Sequence, residues 1–213
     1  MPPPRRPARD GDRSGRDGDD PASPPRIIGG SLRGRRLPYQ PDPRTRPMKD
    51  RVREVLFNLL GTDVVGAVAV DPFGGTGALG FEALSRGAAA AFFGERHFPT
   101  ADALRRSAVE LGLGERVTVR PGDALLWARK MPEIPRGGPW IVFFSPPWDL
   151  FTSRSADLLA LLAALLAAAP PGSLAVVEAD DAFDPAALPE ASAWQRREVP
   201  PAVLFLRSLS PAA

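Results

Sequence analysis

From position 67 onward the chain repeats one pattern: a short apolar run, a break, then a stretch with apolar residues at helical spacing. Few folds accommodate that alternation, because each strand must return beside the last through a helix packed on the sheet. Residues 68–70 predict the first strand, followed by a glycine-rich turn and a helix carrying Leu79, Ala83 and Leu84. Further strands are predicted at 90–93, 117–119, 140–144 and 174–177, with helices at 100–111, 125–130 and 157–169 between them. Residues 140–144 are almost wholly apolar, which predicts a central strand covered on both faces. Residues 194–206 fit one or two closing strands. The expected class is α/β, an open parallel sheet with helices on both faces.

In such sheets ligands bind beyond the carboxyl ends of the strands. Four segments each follow a strand directly and should therefore share one rim: 71–77, Glu95, Asp123 and 145–148. The run Asp71-Pro72-Phe73-Gly74-Gly75-Thr76-Gly77-Ala78 joins strand to helix, and Gly75, Gly77 and Gly80 match G-x-G-x-x-G in the context that motif needs. Glycines there let backbone pass close to a ligand. Glu95 ends the second strand, where a carboxylate can accept hydrogen bonds from ribose hydroxyls. Asp123 could accept one from an adenine amino group. The same loop could serve a dinucleotide oxidoreductase, or be a tight turn that binds nothing. Asp71 helps to separate these readings. A carboxylate beside the glycine turn repels a pyrophosphate but pairs with an ammonium group. S-adenosyl-L-methionine carries an ammonium and a sulfonium and no phosphate, so the electrostatics favour that methyl donor.

Ser145-Pro146-Pro147-Trp148 follows the predicted central strand. Two prolines fix φ and remove two donors, leaving carbonyls as acceptors. Trp148 offers a flat face on which a base can stack, worth about 1–3 kcal/mol. An exocyclic amine is a poor nucleophile because its lone pair is delocalised into the ring. Acceptors at Ser145 Oγ and the Pro146 carbonyl would localise that pair toward the methyl donor, with positioning carrying most of the rate. The plainer alternative is a proline-rich strand exit with Trp148 packed on its rim.

Charge is distributed unevenly. Residues 26–53 hold nine Arg and Lys (Arg26, Arg33, Arg35, Arg36, Arg44, Arg46, Lys49, Arg51, Arg53) against Asp42 and Asp50, and the chain beyond Arg53 is net acidic. A basic block on a mildly acidic domain suggests a polyanionic partner, although a solvated arginine-rich surface has the same composition. Residues 26–37 look like a short hairpin with glycines at the turn and arginines outward. Residues 50–60 place Val52, Val55, Leu56, Leu59 and Leu60 on one helical face. Residues 1–25 have almost nothing apolar and predict a disordered tail with no resemblance to a secretory signal.

The chain has no cysteine and one histidine, His97, so no metal site is expected. The longest apolar run, 156–169, contains Asp157 and falls short of the roughly 20 residues of a membrane helix. A cytoplasmic monomer that does not enter membranes is the expectation.

Several segments together resemble the RsmD-type methyltransferases, which modify the N2 amine of a guanine in small-subunit (16S) ribosomal RNA. They are Arg26-Ile27-Ile28-Gly29-Gly30, Leu32-Arg33-Gly34-Arg35-Arg36-Leu37, Arg46-Pro47, residues 51–58, residues 71–88 and Ser145-Pro146-Pro147-Trp148. The resemblance runs from Arg26 to about Glu178. It implies a class I methyltransferase fold, Rossmann-like with a mostly parallel seven-stranded sheet, carrying an N-terminal β-hairpin extension. The chain is expected to divide into a tail (1–25), on which the resemblance is silent, a basic hairpin and helix (26–62) and a methyltransferase domain (63–213). S-adenosyl-L-methionine would lie at residues 71–78, at Glu95 with Arg96, and at Asp123 with Ala124. A flipped guanine would lie at residues 145–148. Arg33, Arg35, Arg36, Arg44 and Arg46 would contact ribosomal RNA in the small subunit or its assembly intermediate.

This sequence departs from the family in one place that bears on chemistry. The family usually has Asp or Asn where Ser145 stands, and Tyr after the prolines. Serine still offers an acceptor. Ser-Pro-Pro-aromatic is similar to the motif of other amino-group methyltransferases, including cap guanosine-N2 and DNA cytosine-N4 enzymes. Amine methylation survives the change, while another nucleic-acid amino group, or an inactive RNA-binding assembly factor, stays open as an alternative.

Overall fold

The computed structural model describes residues 24–38 and 48–209; the predicted tail and the predicted RNA contacts Arg44 and Arg46 lie outside them. Seven strands form one sheet: β1 (Val68–Asp71), β2 (Ala90–Glu95), β3 (Val117–Pro121), β4 (Trp140–Phe144), β5 (Leu174–Ala179), β6 (Gln195–Val199) and β7 (Ala202–Ser208). Their order is β3-β2-β1-β4-β5-β7-β6. The first five are parallel, while β7 runs antiparallel to both β5 and β6. The predicted closing region is thus two strands, joined tightly enough that neither needs a crossover helix. β4 is buried at every position, as an apolar run flanked by neighbours on both edges must be.

Five α-helices are described: α1 (Asp50–Leu60), α2 (Ala78–Ser85), α3 (Phe98–Glu110), the single turn α4 (Leu150–Ser153) and α5 (Ser155–Ala168). Two apolar clusters cover the two sheet faces. One joins α1, α2 and α3 through residues such as Leu56, Phe57, Phe81 and Leu104. The other joins α5 to the sheet through Leu158, Leu161, Leu162 and Leu165. The predicted helix at 125–130 is instead a 3-10 turn, Ala124–Ala128, started by Asp123 accepting from the Leu125 N–H at 3.0 Å. Four of the predicted strands end one or two residues further on, so that Asp71, Glu95, Pro121 and Glu178 lie inside strands rather than after them.

The amino-terminal hairpin also differs in detail. Arg26 and Arg36 form an isolated antiparallel bridge, and Gly30–Leu32 form one 3-10 turn. Ile27 N donates to Arg35 O at 2.9 Å and Leu37 N to Pro25 O at 2.8 Å. The segment is a strap closed on itself and shaped by what it sits on, not a regular ladder. Glu82 of α2, fully buried, accepts from Ile28 N and from Arg86 Nε, both at 2.7 Å. Ser85 Oγ donates to Gly29 O at 2.5 Å and accepts from Leu32 N at 2.9 Å. Arg53 of α1, counted in the basic block by sequence, is itself buried and donates to Arg26 O and Asp50 Oδ1.

Glycine at position 30 is required twice over. Its φ is +74°, and a Cβ there would lie 2.0 Å from the Ser85 carbonyl oxygen. Gly30→Ala is therefore expected to lift the strap off α2, at a local cost of at least about 1–3 kcal/mol. Hydrogen exchange should show lost protection at Ile28 and Leu32 while β1 and β4 keep theirs; unchanged exchange at Ile28 would contradict this docking.

Candidate functional site

The strand order reverses direction between β1 and β4, and a cavity of about 580 Å3 opens beyond their carboxyl ends. Its wall contains Asp71, Pro72, Phe73, Gly74, Gly75, Thr76, Ala78, Glu95, Arg96, Asp123, Ala124, Ser145, Pro146, Pro147 and Trp148. The four segments expected to share a rim therefore meet in one place. Gly77 is the member of the run that does not line the cavity. It stands behind the wall as the N-cap of α2, and a Cβ there would lie 2.5 Å from the Phe81 ring. Gly80 likewise serves close packing, since its Cβ would meet Phe93 at 2.4 Å.

The carboxylates are placed by backbone. Glu95, at the end of β2, accepts from Gly75 N at 2.9 Å and from His97 N at 2.7 Å. It thereby pins the glycine turn to the second strand and keeps lone pairs for a ligand. Asp71 is 2% exposed and accepts from Phe73 N at 3.3 Å. Burial pushes its carboxyl up from the usual 3.8 to about 7; the Phe73 N–H offsets part of that, and the charges of Glu95 and Glu178 add to it. A cationic group placed beside Asp71 would relieve this unfavourable charge.

Glu178 is a site residue the sequence reading missed. It is the second-last residue of β5, is 7% exposed and lines the cavity. Ser145 Oγ donates a hydrogen bond to its carboxylate. Lys49, immediately before α1, also reaches the wall, as do His97 and Pro201. The sequence did contain one signal for Glu178: an acid directly after an apolar strand, the same pattern that singled out Glu95.

Around the Ser145 turn the predicted acceptors are only partly available. Pro147 O accepts from Leu150 N at 3.0 Å and Trp148 O from Phe151 N at 3.1 Å. The Pro146 carbonyl has no protein donor among the described residues. Trp148 is half-buried and packs against the core cluster that includes α1.

Of the predicted RNA contacts, Arg33, Arg35 and Arg36 are exposed and none lines the cavity. Arg35 donates to Glu110 O at the end of α3, and Arg26 pairs with Asp50 at 2.9 Å, next to Lys49 at the cavity. The strap's arginines thus run from beside the cavity along the flank formed by α2 and α3.

Residues 25–199 match the family model described as "Conserved hypothetical protein 95". The chain is a member of this RsmD-type family. Ribosomal RNA small subunit methyltransferase D of Escherichia coli K12 is 43% identical over 124 residues, a stretch covering 58% of this chain and 60% of that protein. The match therefore spans less than two thirds of that relative's length. Its namesake from Haemophilus influenzae is 36% identical over 132 residues, 62% of this chain and 67% of that one. Among solved structures, an Escherichia coli protein described as a methyltransferase superposes with a TM-score of 0.71 at 30% identity, covering 89% of this chain and all of that one. An RNA methyltransferase from Salinibacter ruber in complex with S-adenosyl-L-homocysteine gives 0.56 at 18% identity, over 78% of this chain and 95% of that one, and shares the fold. The fold of this RsmD-type chain is the class I methyltransferase fold. Among the described residues no helix is long and apolar enough to cross a membrane.

Proposed function

We propose that the protein is an S-adenosyl-L-methionine-dependent methyltransferase acting on the exocyclic N2 amine of a guanine in small-subunit (16S) ribosomal RNA. One observation carries the reading: a single acidic cavity at the strand ends is lined both by Asp71 and Glu95 and by Ser145-Pro146-Pro147-Trp148. Five carboxylates line it (Asp71, Glu95, Asp123, Asp149 and Glu178) against Lys49 and Arg96. That balance suits a ligand carrying ammonium and sulfonium charges and disfavours a pyrophosphate. The relatives named as ribosomal RNA methyltransferases support the same choice of substrate.

The donor supplies an electrophilic methyl group; the chain does the rest by placement. Asp71 pairs with the ammonium end, while Glu95 and Asp123 accept from hydroxyl and amino groups of the nucleoside. Ser145 Oγ and the Pro146 carbonyl hold the target amine, and Trp148 stacks on its ring, offsetting the few kcal/mol needed to unstack the base. Residues 26–62 form the RNA-contacting element, with Arg33, Arg35 and Arg36 on phosphates.

Incubation with unmodified small-subunit ribosomal RNA and labelled donor, followed by nucleoside analysis, tests this directly. The expected product is N2-methylguanosine; a methylated adenosine or cytidine would move the reading to another amino group, and donor binding without transfer would favour an assembly factor. Trp148→Ala is expected to lower turnover by about 5- to 150-fold, equivalent to the 1–3 kcal/mol of one stacked base, with S-adenosylhomocysteine affinity unchanged. Replacing Arg33, Arg35 and Arg36 together by alanine should reduce the slope of log affinity against log salt by about 3. An unaltered slope would remove the strap from the RNA interface.

A further inference from the structure

The Ser145 hydroxyl has one proton, and it is committed. β4 and β5 are parallel with Phe144 opposite Val177, so the residues that follow them, Ser145 and Glu178, are brought side by side by the sheet ladder itself. Ser145 Oγ donates to the Glu178 carboxylate. A carboxylate has only acceptor sites to offer, so the proton of this contact is the serine's, and turning it toward the cavity would give up a charge-assisted hydrogen bond. What Ser145 presents to the cavity is therefore lone pairs. Serine alone would be ambivalent, able to greet either an N–H or a carbonyl.

We propose that Glu178 is a positioning residue that locks Ser145 Oγ as a hydrogen-bond acceptor, so that the site selects a base atom bearing N–H and rejects one that offers only an acceptor or a C–H. Under the methyl-transfer reading above, on which this second part rests, the pair is also the exit for the proton released. As the amine nitrogen bonds the incoming methyl carbon, the electron pair of the broken carbon–sulfur bond stays on sulfur. The surplus proton on nitrogen passes to Ser145 Oγ while Ser145 passes its own to Glu178, which ends as a neutral acid. The positive charge lost by the donor and the negative charge lost by Glu178 cancel.

The test uses the full chain saturated with S-adenosylhomocysteine and three nucleoside pairs differing by one amino group: guanosine and inosine, adenosine and purine riboside, cytidine and its 4-desamino analogue. Affinities are read by NMR titration. In at least one pair the amino member should bind about fivefold tighter or more. That ratio should fall to about 1 in both Ser145→Ala and Glu178→Gln, since the amide of the latter can donate to Oγ and free the hydroxyl proton. Ser145→Asp introduced into Glu178→Gln should restore the preference, which a merely structural role for Glu178 would not predict. The affinity for S-adenosylhomocysteine and the thermal midpoint of each variant report its folding. In the transfer assay the two single variants and the double Ser145→Ala/Glu178→Gln should lose the same 10²- to 10⁴-fold, because groups acting as one unit are not additive. A preference that survives Glu178→Gln, equal binding within all three pairs, or losses that multiply would each overturn the lock. A Glu178-dependent preference in the adenosine or cytidine pair would keep the lock and remove guanine. A guanosine preference indifferent to Glu178 would do the reverse.

Discussion

Asp71→Asn is expected to weaken binding of S-adenosylhomocysteine by at least tenfold at pH 8 and to abolish the pH dependence of that binding. The native carboxyl ionises near 7 because it is buried, with Glu95 and Glu178 nearby. An ammonium group beside it favours the ionised form, so donor affinity should fall as pH drops below 7, by up to tenfold for each pH unit. Calorimetry of the native protein below pH 7 should accordingly register proton release on binding. The same residue acts on stability with the opposite sense. A carboxyl raised from 3.8 to about 7 by folding contributes stability that is complete below 3.8 and lost as pH rises through about 7. The full span corresponds to about 4 kcal/mol. Asp71→Asn without donor should therefore unfold at higher urea than the native chain at pH 8, and at similar urea near pH 4. Lower stability of the variant at pH 8, or donor binding of native strength, would contradict the role given to Asp71.

Glu82→Ala should destabilise the protein by about 3–5 kcal/mol, the range for breaking a buried charge pair from one side. Glu82 is fully buried and holds Ile28 N and Arg86 at once, and its charge also faces the buried Arg53. Removing it leaves two guanidinium groups short of a countercharge and the strap short of its central anchor. Arg53 is already held below the usual arginine range, first by desolvation, with Asp50 and Glu82 opposing that loss. Urea titration measures the global effect. The affinity for ribosomal RNA should drop in parallel, since the strap carries Arg33, Arg35 and Arg36, while S-adenosylhomocysteine affinity should hold. A variant as stable as the native chain would mean that Arg86 and Arg53 find other partners.

The parts of the site legible in the sequence are those where a polar cluster interrupts an apolar run. Asp71 and Ser145–Trp148 stand out because β1 and β4 are so uniformly apolar before them. Glu178 carried the same signal as Glu95 and was passed over, because Ala179-Asp180-Asp181 follow it rather than a glycine or proline turn. Gly77 and Gly80 were legible as glycines, but their packing role was not: a Cβ at either would meet the ring of Phe81 or Phe93. Arg53 was counted with the basic surface because composition cannot tell a solvated guanidinium from one sealed under a strap. The closing strands β6 and β7 were seen as a region without a direction, since antiparallel pairing depends on the turn between them.

The grip on the strap comes from residues 53–56 positions downstream. A chain made from its amino end at about 5–20 residues per second exposes Arg26–Arg36 for roughly 3 to 10 seconds before α2 has been synthesised. During that interval the ribbon is basic and lacks its α2 anchors, with only its own bridge and the contacts of Arg26 to Asp50 and Arg53 available to hold it. Closure of α2 over Ile28 and Gly29 is then the event that converts a loose polycation into a surface with fixed spacing between its charges.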